Sequence, residues 1–245
     1  MYIYIIYYPL YIFIIYSNFK MEDTLIDTTI KPHTNNKTKS KLTIILEQAL
    51  LELSPSKHTP EIMNSDDHLK HLKSQKKTPT DYTPELVHQS LLSLFDSPLN
   101  KAGLLQVYIH TKSKQLIEIN PKCRIPRTYK RFIGLFSQLL LKGKITAADS
   151  NETLIQIVNK PIKQLMRGVP IITLSEKGRI IDIDTYVEGF SNKQVCFVIG
   201  AMNIGDVTSF VDYNDDVVAI SSYDLSSLVV CAKVCTAFEG VWDIR

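Results

Sequence analysis

The chain has 245 residues, of which 44% are hydrophobic and 22% charged, with a formal net charge of +3. That composition describes a globular protein with one sizeable core, and it excludes a disordered or low-complexity chain. Four cysteines, at 123, 196, 231 and 235, are too few and too scattered for a disulfide framework, and they fit a reducing compartment.

The first sixteen residues, MYIYIIYYPLYIFIIY, are apolar and hold half of the twelve tyrosines. The run falls short of the roughly 20 residues a membrane span needs. It also lacks the basic start and small-residue cleavage site of a secretory signal. Residues 1–20 therefore read as an upstream in-frame extension, with the working protein starting at Met21 and no membrane partner expected. Residues 21–40 are polar and read as a flexible arm. Leu42–Leu46 (LTIIL) is a buried strand that runs into a helical pattern at Glu47–Leu53. Ser54–Thr83 is polar and broken by prolines, with a helix expected within Glu61–Lys73 and with Lys76 and Lys77 in the loop after it. Pro84–Phe95 carries apolar residues at 87, 91, 94 and 95, a helix face with Pro84 suited to its first position. Asp96–Gly103 is turn chemistry.

Leu105–Ile109 and Leu116–Ile119 are strands joined by a polar turn at Thr111–Gln115. Arg127–Lys142 is an amphipathic helix with Phe132, Leu135, Phe136, Leu139 and Leu140 on its apolar side. Strands follow at Leu154–Val158, Val169–Leu174, Gln194–Ile199 and Val217–Ile220, and a last helix at Ser226–Trp242. Strands alternating with helices imply an α/β fold with a mainly parallel sheet. Ligands of such sheets sit beyond the carboxyl ends of the strands. Gly200 and Gly205 bracket the turn after VCFVIG, and ISSYDL (Ile220–Leu225) leaves a strand at the same presumed edge.

The densest chemistry lies in Asn120–Phe132, NPKCRIPRTYKRF, which packs Lys122, Arg124, Arg127, Lys130 and Arg131 between and beyond two prolines. Guanidinium groups at a helix N-terminus suit a phosphate. From the residues alone, a phosphate cradle and a solvated charged face both stand. Cys231 and Cys235 read as small buried thiols, and His68 and His71 as solvated; no ligand set with metal spacing is present.

The run HQSLLSLFDSPLNKAGLLQVYIHTKSKQLIEINPKCRIPRTYKRFIGL, then VIGAMNIGD, then ISSYDLSSLVVCAKV and AFEGVW, resembles the eukaryotic pseudouridine-N1-specific small-subunit rRNA methyltransferases. That family belongs to the SPOUT, or α/β-knot, class. The resemblance covers residues 41–245 and implies a methyltransferase domain with a C-terminal trefoil knot and a family-specific β-hairpin and helix extension. It implies S-adenosyl-L-methionine as cofactor, held by Leu174, Gly200, Gly205, Ile220, Ser221, Ser222, Tyr223, Asp224 and Leu225. It implies a homodimer that grips a small-subunit rRNA hairpin through Arg124, Arg127 and Arg131. Work beside pre-ribosomal assembly factors in the nucleus and nucleolus follows from the same resemblance.

Two positions depart from the family pattern. Where the family has Arg-Pro-Asp, this chain has Thr83-Pro84-Glu85. The RNA-facing arginine is thus Thr83, and the catalytic candidate beside it is Glu85, with Lys76 and Lys77 as alternative cations. Asp224 stands where the family has proline. The second reading that these changes keep open is an RNA-binding assembly factor that has lost methyl transfer.

Overall fold

The structure, a computed structural model, describes residues 41–55, 60–148 and 150–245. The expected extension at 1–20, the Met21 start and the polar arm at 21–40 lie outside the described residues. In chain order the elements are β1 (Lys41–Ala49), α1 (Leu69–Ser74), α2 (Pro84–Asp96), α3 (Pro98–Lys101), β2 (Leu105–Thr111), β3 (Leu116–Ile119) and α4 (Tyr129–Lys142). Then come β4 (Lys144–Thr146), β5 (Thr153–Val158), α5 (Ile162–Leu165), β6 (Ile171–Ile180), α6 (Ile183–Glu188), β7 (Gln194–Gly200), β8 (Asp216–Ala219) and α7 (Ser227–Val241).

All eight strands form one sheet in the order β4-β5-β3-β2-β1-β7-β6-β8. The five strands from β2 to β8 are parallel, and β3, β5 and β4 extend them in antiparallel fashion from β2. β1 is central and buried on both faces, as its unbroken Thr-Ile-Ile-Leu run requires. The larger core lies on the face covered by α2, α4, α6 and α7, around Leu91, Phe132, Phe136, Phe197 and Phe238. A smaller cluster on the other face joins Ile45, Tyr108 and Val198 to α5 and to Val207 and Val211 of the loop after β7. No helix among the described residues is long and apolar enough to cross a membrane.

Four expectations are corrected. Glu47–Ala49 is strand and not helix, because β1 keeps its ladders to β2 and β7, and Gln48 is accommodated as a bulge at φ +62°. The expected helix within Glu61–Lys73 shrinks to α1. Ile62 is instead extended, bridging Leu53 and donating its N–H to Ser137 Oγ at 2.9 Å. Asp96–Gly103 contains α3, whose N-terminus is capped by Ser97 Oγ accepting from Asn100 N at 3.1 Å. Helix α4 opens at Tyr129, so Arg127 precedes it by two residues and does not start it.

β6 is longer than expected and irregular. Val218 of β8 pairs with both Leu174 and Arg179, so Ser175–Gly178 bulge out of the ladder between them. The turn back passes so close to β8 that a Cβ on Gly178 would lie 2.6 Å from the Val218 backbone, a separation that only glycine permits.

Candidate functional site

A cavity of about 700 Å³ opens at the carboxyl ends of β6, β7 and β8. Leu174, Gly200, Gly205, Ile220, Ser221, Tyr223, Asp224 and Leu225 all line it, which brings together eight of the nine residues expected at a cofactor site. Ser222 does not line it and is exposed, although its neighbours Ser221 and Tyr223 do line it. The chain reaches this shape through Gly205 at φ +117°, a conformation that side chains rarely adopt. Tyr223, 79% exposed, stands at the rim.

The β6 excursion supplies walls that the sequence reading missed: Ser175, Glu176 and Lys177. The available signal was the abrupt switch from apolar IITL to polar SEKG where a buried strand should end. Lys177 Nζ lies 3.1 Å from Asp206 Oδ2, while Ser175 Oγ donates to Asp206 Oδ1 at 2.8 Å. Thr208 adds its backbone N–H at 3.1 Å and its hydroxyl. Burial opposes ionisation of Asp206, but the bonds from Thr208, Ser175 and Lys177 outweigh it and bring the carboxyl down to about 2. Glu176 and Asp224 line the same cavity and have no ion-pair partner among the described residues.

The basic stretch forms a loop and the first turn of α4. Arg124, Lys130 and Arg131 are exposed and free of ion pairs among the described residues. Arg127 forks onto Asp96, with Nη2 3.0 Å from Oδ1 and Nη1 on Oδ2. Lys122 reaches Glu152 at 2.9 Å. Helix α4 has no acidic residue in its first turn and no side-chain cap at Thr128. Its positive end therefore carries two further cations, a local conflict that an anion relieves.

Helix α2 touches both regions. At its N-terminus stand Thr83, whose side chain makes no capping bond, and Glu85. Leu86 lines the cavity, and Ser90 Oγ lies 2.9 Å from Oγ of Ser227, another wall residue. His88 Nε2 meets the Pro126 carbonyl at 2.7 Å, and its ring stacks on Phe132 with centroids 4.6 Å apart. Beyond it, the Tyr129 hydroxyl is buried without a hydrogen-bond partner. Burial and the neighbouring Glu85 carboxylate push that phenol well above its ordinary value. Lys77 is committed to Glu52 at 2.7 Å, which leaves Lys76 as the uncommitted cation of that loop. Among the described residues no three His, Cys, Asp or Glu side chains converge as a metal site. All four cysteines are buried free thiols.

Comparison with known proteins gives this arrangement its context. A family model described as EMG1/NEP1 methyltransferase matches residues 44–239. The chain is 43% identical over 205 residues to the ribosomal RNA small subunit methyltransferase NEP1 of Mus musculus, covering 83% of each chain. It is 41% identical over 217 residues to the Drosophila melanogaster protein of the same name, covering 85% of each. A crystal structure of Archaeoglobus fulgidus Nep1 bound to S-adenosylhomocysteine matches at TM-score 0.69 and 28% identity, covering 82% of this chain and 98% of that one. Fold, cavity and likenesses together define an α/β methyltransferase. The chain belongs to the EMG1/NEP1 methyltransferase family.

Proposed function

We propose that this protein is an S-adenosylmethionine-dependent methyltransferase acting on N1 of a pseudouridine in small-subunit ribosomal RNA. The observation that carries the reading is the strand-end cavity joined through α2 to a basic surface on which Arg124, Lys130 and Arg131 have no ion pair among the described residues. The walls fit the cofactor: the volume is that of a small-molecule site, Leu174, Ile220 and Leu225 offer apolar surface, and Glu176 and Asp224 offer carboxylates to a cation. When bound, S-adenosylmethionine supplies an electrophilic methyl group. Arg124 and Arg131 grip phosphates of the hairpin, Arg127 joins them when it leaves Asp96, and the target base is turned out toward the cavity. Glu85, one residue before the wall residue Leu86, orients the extruded ring, whose N1 would pass its proton to solvent water as it takes the methyl group, with S-adenosylhomocysteine as the leaving group.

The reading includes a C-terminal trefoil knot, supported by β8 lying beyond β6 in the sheet while α7 returns to pack on α2. It includes a homodimer, supported by exposed Ile204, Phe210, Tyr223 and Val229. It also includes service beside pre-ribosomal assembly factors in the nucleolus, which imaging of the tagged full chain tests. The test of the activity is incubation with labelled cofactor and a pseudouridine hairpin, with a uridine hairpin as control. Label confined to the pseudouridine hairpin is expected. Tight hairpin binding without label favours the second reading, an assembly factor without methyl transfer, which the Thr83-Pro84-Glu85 departure motivates.

A further inference from the structure

Glu47 is a fully buried acid in the central strand, and nothing in the reaction above uses it. Its carboxylate accepts from Tyr213 OH at 2.5 Å, from His110 Nδ1 at 2.8 and 2.9 Å, and from Gln48 Nε2 at 3.0 Å. Burial would raise this carboxyl, but the bonds from His110 and Tyr213 prevail and hold it below the usual carboxylate range. The group is thus an anion with its hydrogen-bonding capacity largely filled, and its position in the sheet is unusual. Glu47 pairs with Gly200, the last residue of β7, and its backbone carbonyl accepts the N–H of Ala201 at 2.7 Å.

The segment that starts at Ala201 builds one wall of the cavity through Met202, Gly205 and Val207. It then crosses the sheet face, packing Val207 and Val211 against Ile45 and Val198, and reaches Tyr213. One residue therefore fastens both ends of the wall: the Glu47 backbone at Ala201 and the Glu47 carboxylate at Tyr213.

We infer that Glu47, with Tyr213 and His110, is a positioning device that sets the shape of the cofactor loop Ala201–Tyr213, and so governs cofactor affinity and not RNA affinity. The inference rests on the cofactor reading of the cavity. His110, on β2 opposite Glu47, contacts both carboxylate oxygens, including the Oε2 that accepts from Tyr213, so the acid is tied to the sheet independently of the loop. The Tyr213 hydroxyl is the bond between this acid and the far end of the loop, so removing it loosens the wall while His110 and Gln48 still satisfy the charge.

The mildest probe is Tyr213→Phe, which keeps the ring and removes one hydroxyl. The full chain and this variant are compared by calorimetric titration with S-adenosylhomocysteine and with hairpin RNA, and by amide exchange. The variant is expected to bind S-adenosylhomocysteine about tenfold more weakly, a single charge-assisted hydrogen bond being worth that much. Its RNA affinity stays within about twofold, and KM for the cofactor rises more than kcat falls. Amides of residues 201–209 exchange faster, while those of β1 and β2 do not change. Equal S-adenosylhomocysteine affinity in variant and parent overturns the inference, even if the variant melts earlier. If the parent binds no S-adenosylhomocysteine, the cofactor reading falls, and the exchange data alone judge the anchor: unchanged protection at 201–209 overturns it.

Discussion

Lys177 and Asp206 meet at 3.1 Å on the cavity wall, the lysine on the excursion of β6 and the aspartate in the loop after β7. Asp206 is lowered from an ordinary 3.8 to about 2, so it favours the folded state only while ionised. Its contribution, about 1 kcal/mol once solvent screening is allowed for, is fully present above about pH 4 and is lost as pH falls through about 2. Asp206→Asn should therefore melt earlier than the parent at pH 7, and the gap should close on acidification. Melting curves taken from pH 7 to pH 2 check this; a gap that stays constant contradicts it.

Asp96 holds the Arg127 guanidinium that the proposed hairpin clamp requires. Asp96→Asn should raise affinity for a small-subunit hairpin a few-fold by freeing the guanidinium. Arg124→Ala and Arg131→Ala, which break no ion pair in the protein, should each weaken binding. Each should also reduce the slope of log affinity against log salt by about one. Titrations at several salt concentrations separate these effects.

Thr83→Arg should tighten hairpin binding by restoring a cationic fork at the N-terminus of α2, beside Glu85. Unchanged affinity would mean that the surface around Thr83 has been rebuilt to do without it.

His88 is buried, stacked on Phe132 and bonded to the Pro126 carbonyl. His88→Ala should cost about 2–4 kcal/mol of stability through the cavity and the lost bond. It should also weaken RNA binding, because the Arg124–Arg127 loop loses its tether, while S-adenosylhomocysteine affinity changes little. Urea unfolding and two separate ligand titrations test the three parts.

Gly178→Ala places a methyl group against the backbone of Val218, where neither strand has a flexible side chain to move aside. A loss of about 2 kcal/mol or more is expected, with weaker cofactor binding, since the displaced residues 175–177 are cavity wall. Near-parental stability would show that β6 and β8 separate easily.

Much of the scaffold was legible because its elements are strongly patterned. β1, β7 and the apolar faces of α2 and α4 announce themselves by runs and by helical spacing. What failed was local. Glu47–Leu53 has a helical period, yet pairing on both sides of Glu47 holds Glu47–Ala49 as strand. The helical start expected at Arg127 slipped because Thr128 remains extended, at ψ 138°. The short elements β4, α5 and α6 are too brief to carry a period. In the site, the loops ending in Gly200 and Ile220–Leu225 were visible as strand ends. Ser175–Lys177 were not, because the switch from IITL to SEKG reads as the end of a strand and not as an excursion within one. The Glu47, His110 and Tyr213 trio was likewise hidden, since its members are 63 and 166 positions apart.

Val218 meets β6 twice, before and after the excursion, so the excursion has no defined shape until β8 is seated beside it. Wall residues Ile220, Ser221, Tyr223, Asp224 and Leu225 come later still in the chain. During synthesis from the N-terminus, the basic loop at 124–131 is therefore complete well before any cofactor pocket exists. The cavity is thus the last part of the fold that the chain can complete.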